Sequence, residues 1–161
     1  MACSDPDALA DIRGHIEAAR RGGELPEPRV LAGDLRKHLA GPDPALRAAS
    51  LRLLRHTVAR DRAVWREALH QHVDFFVVRS LEREASSLDE RVEALKLFRH
   101  LSEHGASDLP TSQLMSVVAV ADCADDNLRS VSLETLRQML VFQGTSEARQ
   151  HLLQPLLNAE R

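Results

Sequence analysis

Hydrophobic residues recur at intervals of three and four along most of the chain, which is the spacing of one face of an α-helix. One such stretch occurs three times, at 43–56, 88–100 and 125–138, and the copies align without gaps at offsets of 44 and then 38 residues. A helical unit that recurs at about 40 residues is typical of armadillo and HEAT arrays, in which each unit buries its apolar face against its neighbours. The pattern predicts an all-α fold, an armadillo/HEAT-like helical-repeat solenoid.

Proline and glycine mark where the predicted helices begin and end. Asp5-Pro6 opens the first helix, because the Asp side chain accepts orphan N–H groups and Pro at the first helical position loses no hydrogen bond. Gly22-Gly23 ends this helix, and a connection with two Pro follows. We therefore expect an N-terminal leader helix at 1–23 and a repeat domain at 29–161 that forms the start of a longer array.

The apolar stripes of the three copies predict the core. Between the first two copies we expect one long helix from Asp61 to about Arg83. Its aromatic residues, Trp65, Phe75 and Phe76, are assigned to the core in preference to an interface hot spot. The residues expected to be buried in the repeat helices are Leu51, Leu54, Leu95, Phe98, Leu133 and Leu136.

Two local patterns complete the assignment of elements. Ser87-Leu-Asp-Glu90 is a capping box, in which the Ser side chain bonds the amide three residues on and the Glu side chain reaches back. The run from Leu114 to Ala121 is rich in Val and fits either a helix or a short strand. Its position between two helical repeats favours the helix.

Composition and charge narrow the class of protein. The 161 residues are 43% apolar and 28% charged, with a net charge of -3, so no global cationic field favours nucleic acid or an anionic membrane. No apolar run approaches the length of a membrane span, and the N-terminus lacks the pattern of a signal peptide. Two cysteines do not form a disulfide framework. We expect a cytoplasmic protein that contacts neither nucleic acid nor the membrane interior.

Candidate catalytic and metal-binding residues are few. His100 and His104 are four apart and could share a metal ion, but no Cys, Asp or Glu cluster completes a zinc site. Cys123 lies in an apolar, Val-rich helix and is expected to be a small buried hydrophobe rather than a nucleophile. The chain has no Gly-rich phosphate loop, Gly-x-Ser-x-Gly elbow or His-Glu-x-x-His motif. We therefore expect no enzyme activity, cofactor or metal.

Arginine recurs at two fixed positions of the repeat. A cation repeated along an array could form a ladder that binds an acidic partner protein. The alternative is pairing with acidic residues of the same or the next repeat, which is favoured because exposed charge pairs contribute little energy. The six candidates, in two aligned sets, are Arg47, Arg91 and Arg129, and Arg55, Arg99 and Arg137.

Four blocks carry a resemblance to a known family. They are the runs 46–56, 73–81 and 90–99, and the stretch 114–140 with Asp125-Asp126 and Arg129. In order and spacing these blocks resemble the N-terminal helical-repeat region of the Rictor family, the scaffold subunits of TOR complex 2. The run Val73-Asp-Phe-Phe-Val-Val-Arg79, followed by Glu90-Arg-Val-Glu-Ala-Leu95, is the more specific part. The likeness extends over roughly residues 30 to 143.

The resemblance implies a non-catalytic scaffold subunit that supports assembly and signalling of TOR complex 2, with TOR kinase and the other subunits of that complex as partners. Members of the family are far longer than this chain, which would hold the start of their array. The alternatives are a protein-binding adaptor of armadillo or HEAT type unrelated to TOR, and an RNA-binding helical-repeat protein, which would need a basic concave face.

The end of the chain suggests a further partner. Four Leu residues on a segment interrupted by Pro155 would expose an apolar patch unless another repeat or another copy covers it. We therefore expect self-association of the chain through its C-terminal end, by way of Leu152, Leu153, Leu156 and Leu157.

Overall fold

In the computed structural model, which describes residues 5–103, 111–123, 125–142 and 157–158, every regular element is an α-helix. The all-α prediction is therefore confirmed, and the Val-rich run is helical. The stacking of the repeats into a solenoid stays a prediction. The helices within the described residues are α1 (Pro6–Arg21), α2 (Pro28–Ala40), α3 (Pro44–Arg60), α4 (Arg62–His70), α5 (Val73–Glu82), α6 (Leu88–Glu103), α7 (Thr111–Ala121) and α8 (Asp126–Phe142).

The three repeat helices α3, α6 and α8 begin at equivalent positions. Each follows a residue whose side-chain oxygen accepts a hydrogen bond from an amide of the first turn, which satisfies one of the orphan N–H groups there. Asp43 accepts from the Ala45 amide at 2.8 Å, Ser87 from the Glu90 amide at 3.2 Å, and Asp125 from the Leu128 amide at 2.8 Å. The repeat seen in the sequence is thus also a repeat of local structure.

The chain divides into two compact units, residues 1–94 and 95–161, and the boundary lies within α6. In the first unit α3 packs against α1, α2 and α4, and α2 also packs against α4 and α5. In the second unit α7 packs against α8. The helix α1 is capped by Asp5 and Gly22 as expected, and it packs against α3 within the first unit. The division into a leader at 1–23 and a repeat domain at 29–161 stays a prediction.

The inward face of the first two repeat helices lies where the apolar stripe placed it. Leu51, Leu54, Leu95 and Phe98 are each at most 1% exposed, and Leu136 of α8 is fully buried. Leu133 is an exception, since its side chain is only half-buried. The expectation for Leu133 was therefore wrong.

Small polar residues explain the error at Leu133. The buried positions of α8 include Ser132 and Thr135, so its inward face is centred about one residue away from the face that the Leu positions indicated. The Ser132 hydroxyl donates a 2.8 Å hydrogen bond to the Val117 carbonyl and so ties α8 to α7. Ser50 and Ala94 occupy the same repeat position as Ser132, and all three are 0% exposed. In α8 the small side chain of Ser132 lets α7 approach closely.

The long helix expected from Asp61 to Arg83 is two helices. Between α4 and α5 the backbone of His72 has φ 57° and ψ 33°, in the left-handed region that non-glycine residues rarely adopt. The Gln71 side chain donates a 2.9 Å hydrogen bond to the Arg29 carbonyl of α2, so a tertiary contact holds this turn. Because no Gly or Pro marks the break, the sequence offered no local signal for it.

The break turns the aromatic residues of α5 away from the core. Val73 and Val77 are fully buried, whereas Phe75 is 56% exposed and contacts Phe76 edge-to-face at 5.4 Å between ring centroids. Trp65 and Phe76 are half-buried. The assignment of all three aromatic residues to the core was therefore wrong for Phe75 and only partly right for the other two.

Truncation of Phe98 tests the inward face. Phe98→Ala is expected to lower the free energy of unfolding by about 3 to 5 kcal/mol, because it removes a fully buried ring and leaves a cavity. Phe75→Ala is the matched control, with an expected loss of about 1 kcal/mol or less from an exposed aromatic pair. Urea unfolding of both variants measures the difference. Equal losses would show that the face is misassigned.

Candidate functional site

One of the six candidate arginines, Arg47, forms a buried salt bridge between two copies of the repeat. The guanidinium of Arg47 on α3 donates from Nε and Nη2 to the two carboxylate oxygens of Glu90 on α6, at 2.8 Å and 2.9 Å. Its Nη1 donates to the Gly41 carbonyl at 3.0 Å. The two side chains are 3% and 0% exposed. Two parallel hydrogen bonds between charged groups make this contact strong. Removal of either partner would leave the other charge buried without a counter-charge, which destabilises the fold.

This salt bridge revises the capping box. Ser87 bonds the Glu90 amide as expected, but the Glu90 carboxylate turns inward to Arg47. The sequence held a signal for this. Glu90 occupies the repeat position at which the other two copies carry Leu46 and Leu128, and all three residues are buried. A carboxylate at a core position of one copy points to a cationic partner in the interior.

A second acidic residue of α6 binds two arginines of α3. The Glu93 carboxylate accepts from Arg52 and from Arg55, each at 3.2 Å. Its side chain is 3% exposed, whereas that of Arg52 is 48% exposed, so the carboxylate lies beneath the guanidinium groups. Glu93 follows Glu90 by three residues and therefore lies on the same face of the helix. The first turns of α6 are thus fixed to α3 by charged side chains.

The other four candidate arginines form local contacts. Arg91 donates to the Arg83 carbonyl at 2.8 Å, and Arg99 pairs with Glu103 at 3.6 Å. On α8, Arg129 pairs with Asp126, and Arg137 pairs with Glu134 at 3.8 Å. The six arginines therefore differ in exposure and in partner. Their role as a ladder for a partner protein stays a prediction.

His56 lies on α3, close to Arg52 and Arg55. Burial lowers the pKa of His56 below its ordinary value of 6.5, and the charges of Arg55, Arg20 and Arg52 lower it further, while Glu93 acts in the opposite direction. Both main causes disfavour the protonated imidazole in the folded state. The folded chain therefore keeps His56 neutral at a pH at which the unfolded chain protonates it.

The remaining chemical candidates stand apart from this site. Cys123 lies just beyond the end of α7, half-buried, with its Sγ 3.5 Å from the Asp125 carbonyl oxygen, so the expectation of a buried helical thiol was wrong. His104 lies outside the described residues. Within the described ranges, no three His, Cys, Asp or Glu side chains are grouped closely enough to hold a metal ion, and no helix has the length and apolar character needed to cross a bilayer.

Removal of one partner tests the buried salt bridge. Arg47→Met is expected to lower the free energy of unfolding by about 3 to 5 kcal/mol, because it leaves the Glu90 carboxylate buried without a counter-charge. The double variant Arg47→Met/Glu90→Leu should recover most of this loss. Arg129→Met breaks an exposed pair and should cost less than about 1 kcal/mol. Additive losses in the double variant, measured by urea unfolding, would contradict a buried pair.

Acidification tests the environment of His56. Because its folded-state pKa is lowered, the contribution of His56 to stability is fully present above pH 6.5 and is lost as the pH falls through the folded value. Wild type should therefore lose more stability than His56→Gln between about pH 7.5 and about pH 5. Urea midpoints at both values give the comparison. An equal loss in the two proteins would mean that the imidazole is free to protonate in the folded chain.

The known proteins to which this chain is similar point to one family. The chain is 33% identical over 114 residues to "Protein pianissimo A" of Dictyostelium discoideum, a match that covers 71% of this chain and 10% of the relative. It is 33% identical over 88 residues to "Rapamycin-insensitive companion of mTOR" of Mus musculus and of Homo sapiens, covering 55% of this chain and 5% of each relative. The chain thus spans a tenth or less of the length of these relatives. No solved structure matches it.

The family match extends well beyond the repeat helices. The model of the family described as "Rapamycin-insensitive companion of mTOR, N-term" matches residues 24–159, which include α2 to α8 as well as both ends of the Arg47–Glu90 salt bridge. This range is most of the chain and agrees with the resemblance carried by the four sequence blocks. The chain belongs to the family of the N-terminal region of the rapamycin-insensitive companion of mTOR.

Proposed function

We propose that this chain is a non-catalytic scaffold subunit of TOR complex 2, which supports assembly of the complex and its signalling. The observation that carries the proposal is the family match over residues 24–159. Two relatives bear names that describe a companion of mTOR. The partners are then TOR kinase and other subunits of the complex, and the site of action is the cytoplasm.

The arrangement of the helices supports a role in presenting an interaction surface to partner proteins rather than in catalysis. Charged side chains join the first turns of α6 to α3, through the buried pair of Arg47 with Glu90 and the part-buried contact of Arg55 with Glu93. Rigid elements hold an interaction surface more accurately than loops do. We propose that three of the six arginines bind a partner protein, because their side chains are 45% to 51% exposed. They are Arg99, Arg129 and Arg137.

The same proposal includes self-association through the C-terminal end. Of the four Leu residues named for it, Leu152, Leu153 and Leu156 lie outside the described residues. Leu157 is described and is 54% exposed. An exposed Leu in this segment supports the proposal that another repeat or another copy covers the end of the chain.

Affinity purification tests the scaffold role. The tagged chain, expressed in its native cells, should recover TOR kinase well above an unrelated helical protein that carries the same tag. Asp89→Asn, a change of an exposed residue, should recover as much kinase as wild type does. Phe98→Ala should recover less, because the loss of a buried ring weakens the fold.

Two outcomes would contradict the proposal. Repeated recovery of other proteins without the kinase would indicate a helical-repeat adaptor unrelated to TOR. Equal recovery of the kinase by wild type and by the unrelated protein would show that the contact is not specific.

A further inference from the structure

A cleft lies between α1 and α2, above α3, and four polar side chains surround it. Its volume is about 220 Å³. Asp11 and His15 are four residues apart on α1, and Asp34 and His38 are four residues apart on α2, so each pair lies on one face of its helix. All of these residues belong to the first compact unit. Two equivalent acid–imidazole pairs thus line one cleft.

The cleft combines an apolar floor with unpartnered polar groups. Ile12, Leu31, Leu35 and Leu53 line it from the core side, and each is at most 4% exposed. Within the part of the chain that the structure describes, none of the four polar side chains has a hydrogen bond or ion pair. Several other carboxylates do have partners, since Glu90 and Glu93 pair with arginines and Asp43, Asp61 and Asp125 bond helix amides.

The charge of the cleft selects a cationic occupant. Among the described residues that line it, two are carboxylates and none is Lys or Arg. A volume of about 220 Å³ is below the roughly 300 to 1,000 Å³ of sites for cofactors and other small molecules, and it suits one side chain. Lys and Arg have the required shape, because an apolar stem can lie on the floor while the charged head reaches the carboxylates at the rim.

We infer that the α1–α2 cleft binds a single basic side chain, Lys or Arg, presented by a segment of a partner protein. Asp11 and Asp34 receive the charged head, His15 and His38 flank it, and the floor receives the stem. The inference rests on the proposed scaffold role, because it names the chemistry of one contact that such a scaffold makes. It also places an interaction site away from the arginines of the repeat helices.

A titration followed by NMR tests the inference on the isolated chain. The probes are capped pentapeptides of sequence Gly-Gly-X-Gly-Gly, in which X is Lys, Arg or, as an uncharged control, norleucine. The Lys and Arg peptides should cause saturable shifts of amide signals in α1 and α2 around the cleft, and the norleucine peptide should not. Asp11→Asn/Asp34→Asn should weaken this binding by about tenfold or more, because charge-assisted hydrogen bonds are lost.

The controls separate the cleft from general charge effects and from misfolding. Asp7→Asn/Asp89→Asn changes net charge equally at two exposed carboxylates that do not line the cleft, and it should bind the peptides as wild type does. The spectrum of each variant reports whether the fold is retained. Asp11 and Asp34 are exposed and form no internal hydrogen bond in the described residues, so their replacement by Asn should preserve it.

Three results would overturn the inference. One is the absence of shifts with both basic peptides, and another is equal binding by the two double variants. The third is a response of the same amides to zinc chloride but not to the peptides, which would make the cleft a metal site. None of these results involves TOR kinase, so failure here leaves the scaffold proposal to be decided by affinity purification.

Discussion

The salt bridge between Arg47 and Glu90 joins two copies of the repeat through the interior. Two charges removed from water are costly unless each is fully paired, and here the guanidinium is also bonded to the Gly41 carbonyl. A bidentate contact of this kind permits little variation in the position of the first turns of α6 along α3. Other positions would leave a buried charge without a partner, and the contacts of Glu93 with Arg52 and Arg55 impose the same spacing one turn later. Electrostatics thus fixes a spacing that apolar contacts alone would specify less sharply.

The rest of the first unit is arranged around α3. The helices α1, α2 and α4 all contact it, and its inward leucines are fully buried. Because α1 and α2 lie side by side over α3 and contact each other little, a cleft remains between them with the core as its floor. The same packing that buries the apolar stripe of α3 therefore also creates the feature that the proposed basic side chain would occupy.

The copies of the repeat share their helix starts and one small buried residue. Ser50, Ala94 and Ser132 keep the side chain at this position small and fully buried in each copy. Another repeat position differs in exposure between copies. Arg47 is buried, whereas its counterpart Arg129 is 46% exposed. The copies thus share one small buried position, while equivalent arginines differ in burial from copy to copy.

The amino-acid sequence by itself determined the features that depend on near neighbours in the chain. These include the all-α class, the helix starts at Asp5, Asp43, Ser87 and Asp125, the end of α1 at Gly22, and most of the buried leucines. Caps and apolar periodicity act within one or two turns of helix, so they can be read from a short window. The family resemblance likewise rests on local blocks in a fixed order.

Only the tertiary structure decided the features that join distant segments. The carboxylate of Glu90 turns inward to a cation 43 residues away, and a hydrogen bond from Gln71 to α2 holds the turn at His72. Ser132 and Thr135 are buried because a neighbouring helix covers them, although their side chains are polar. The cleft at Asp11 and Asp34 exists because two consecutive helices, α1 and α2, both pack on α3. These features follow from contacts between segments that are brought together in three dimensions. Hydrophobic periodicity and capping signals carry no information about such contacts.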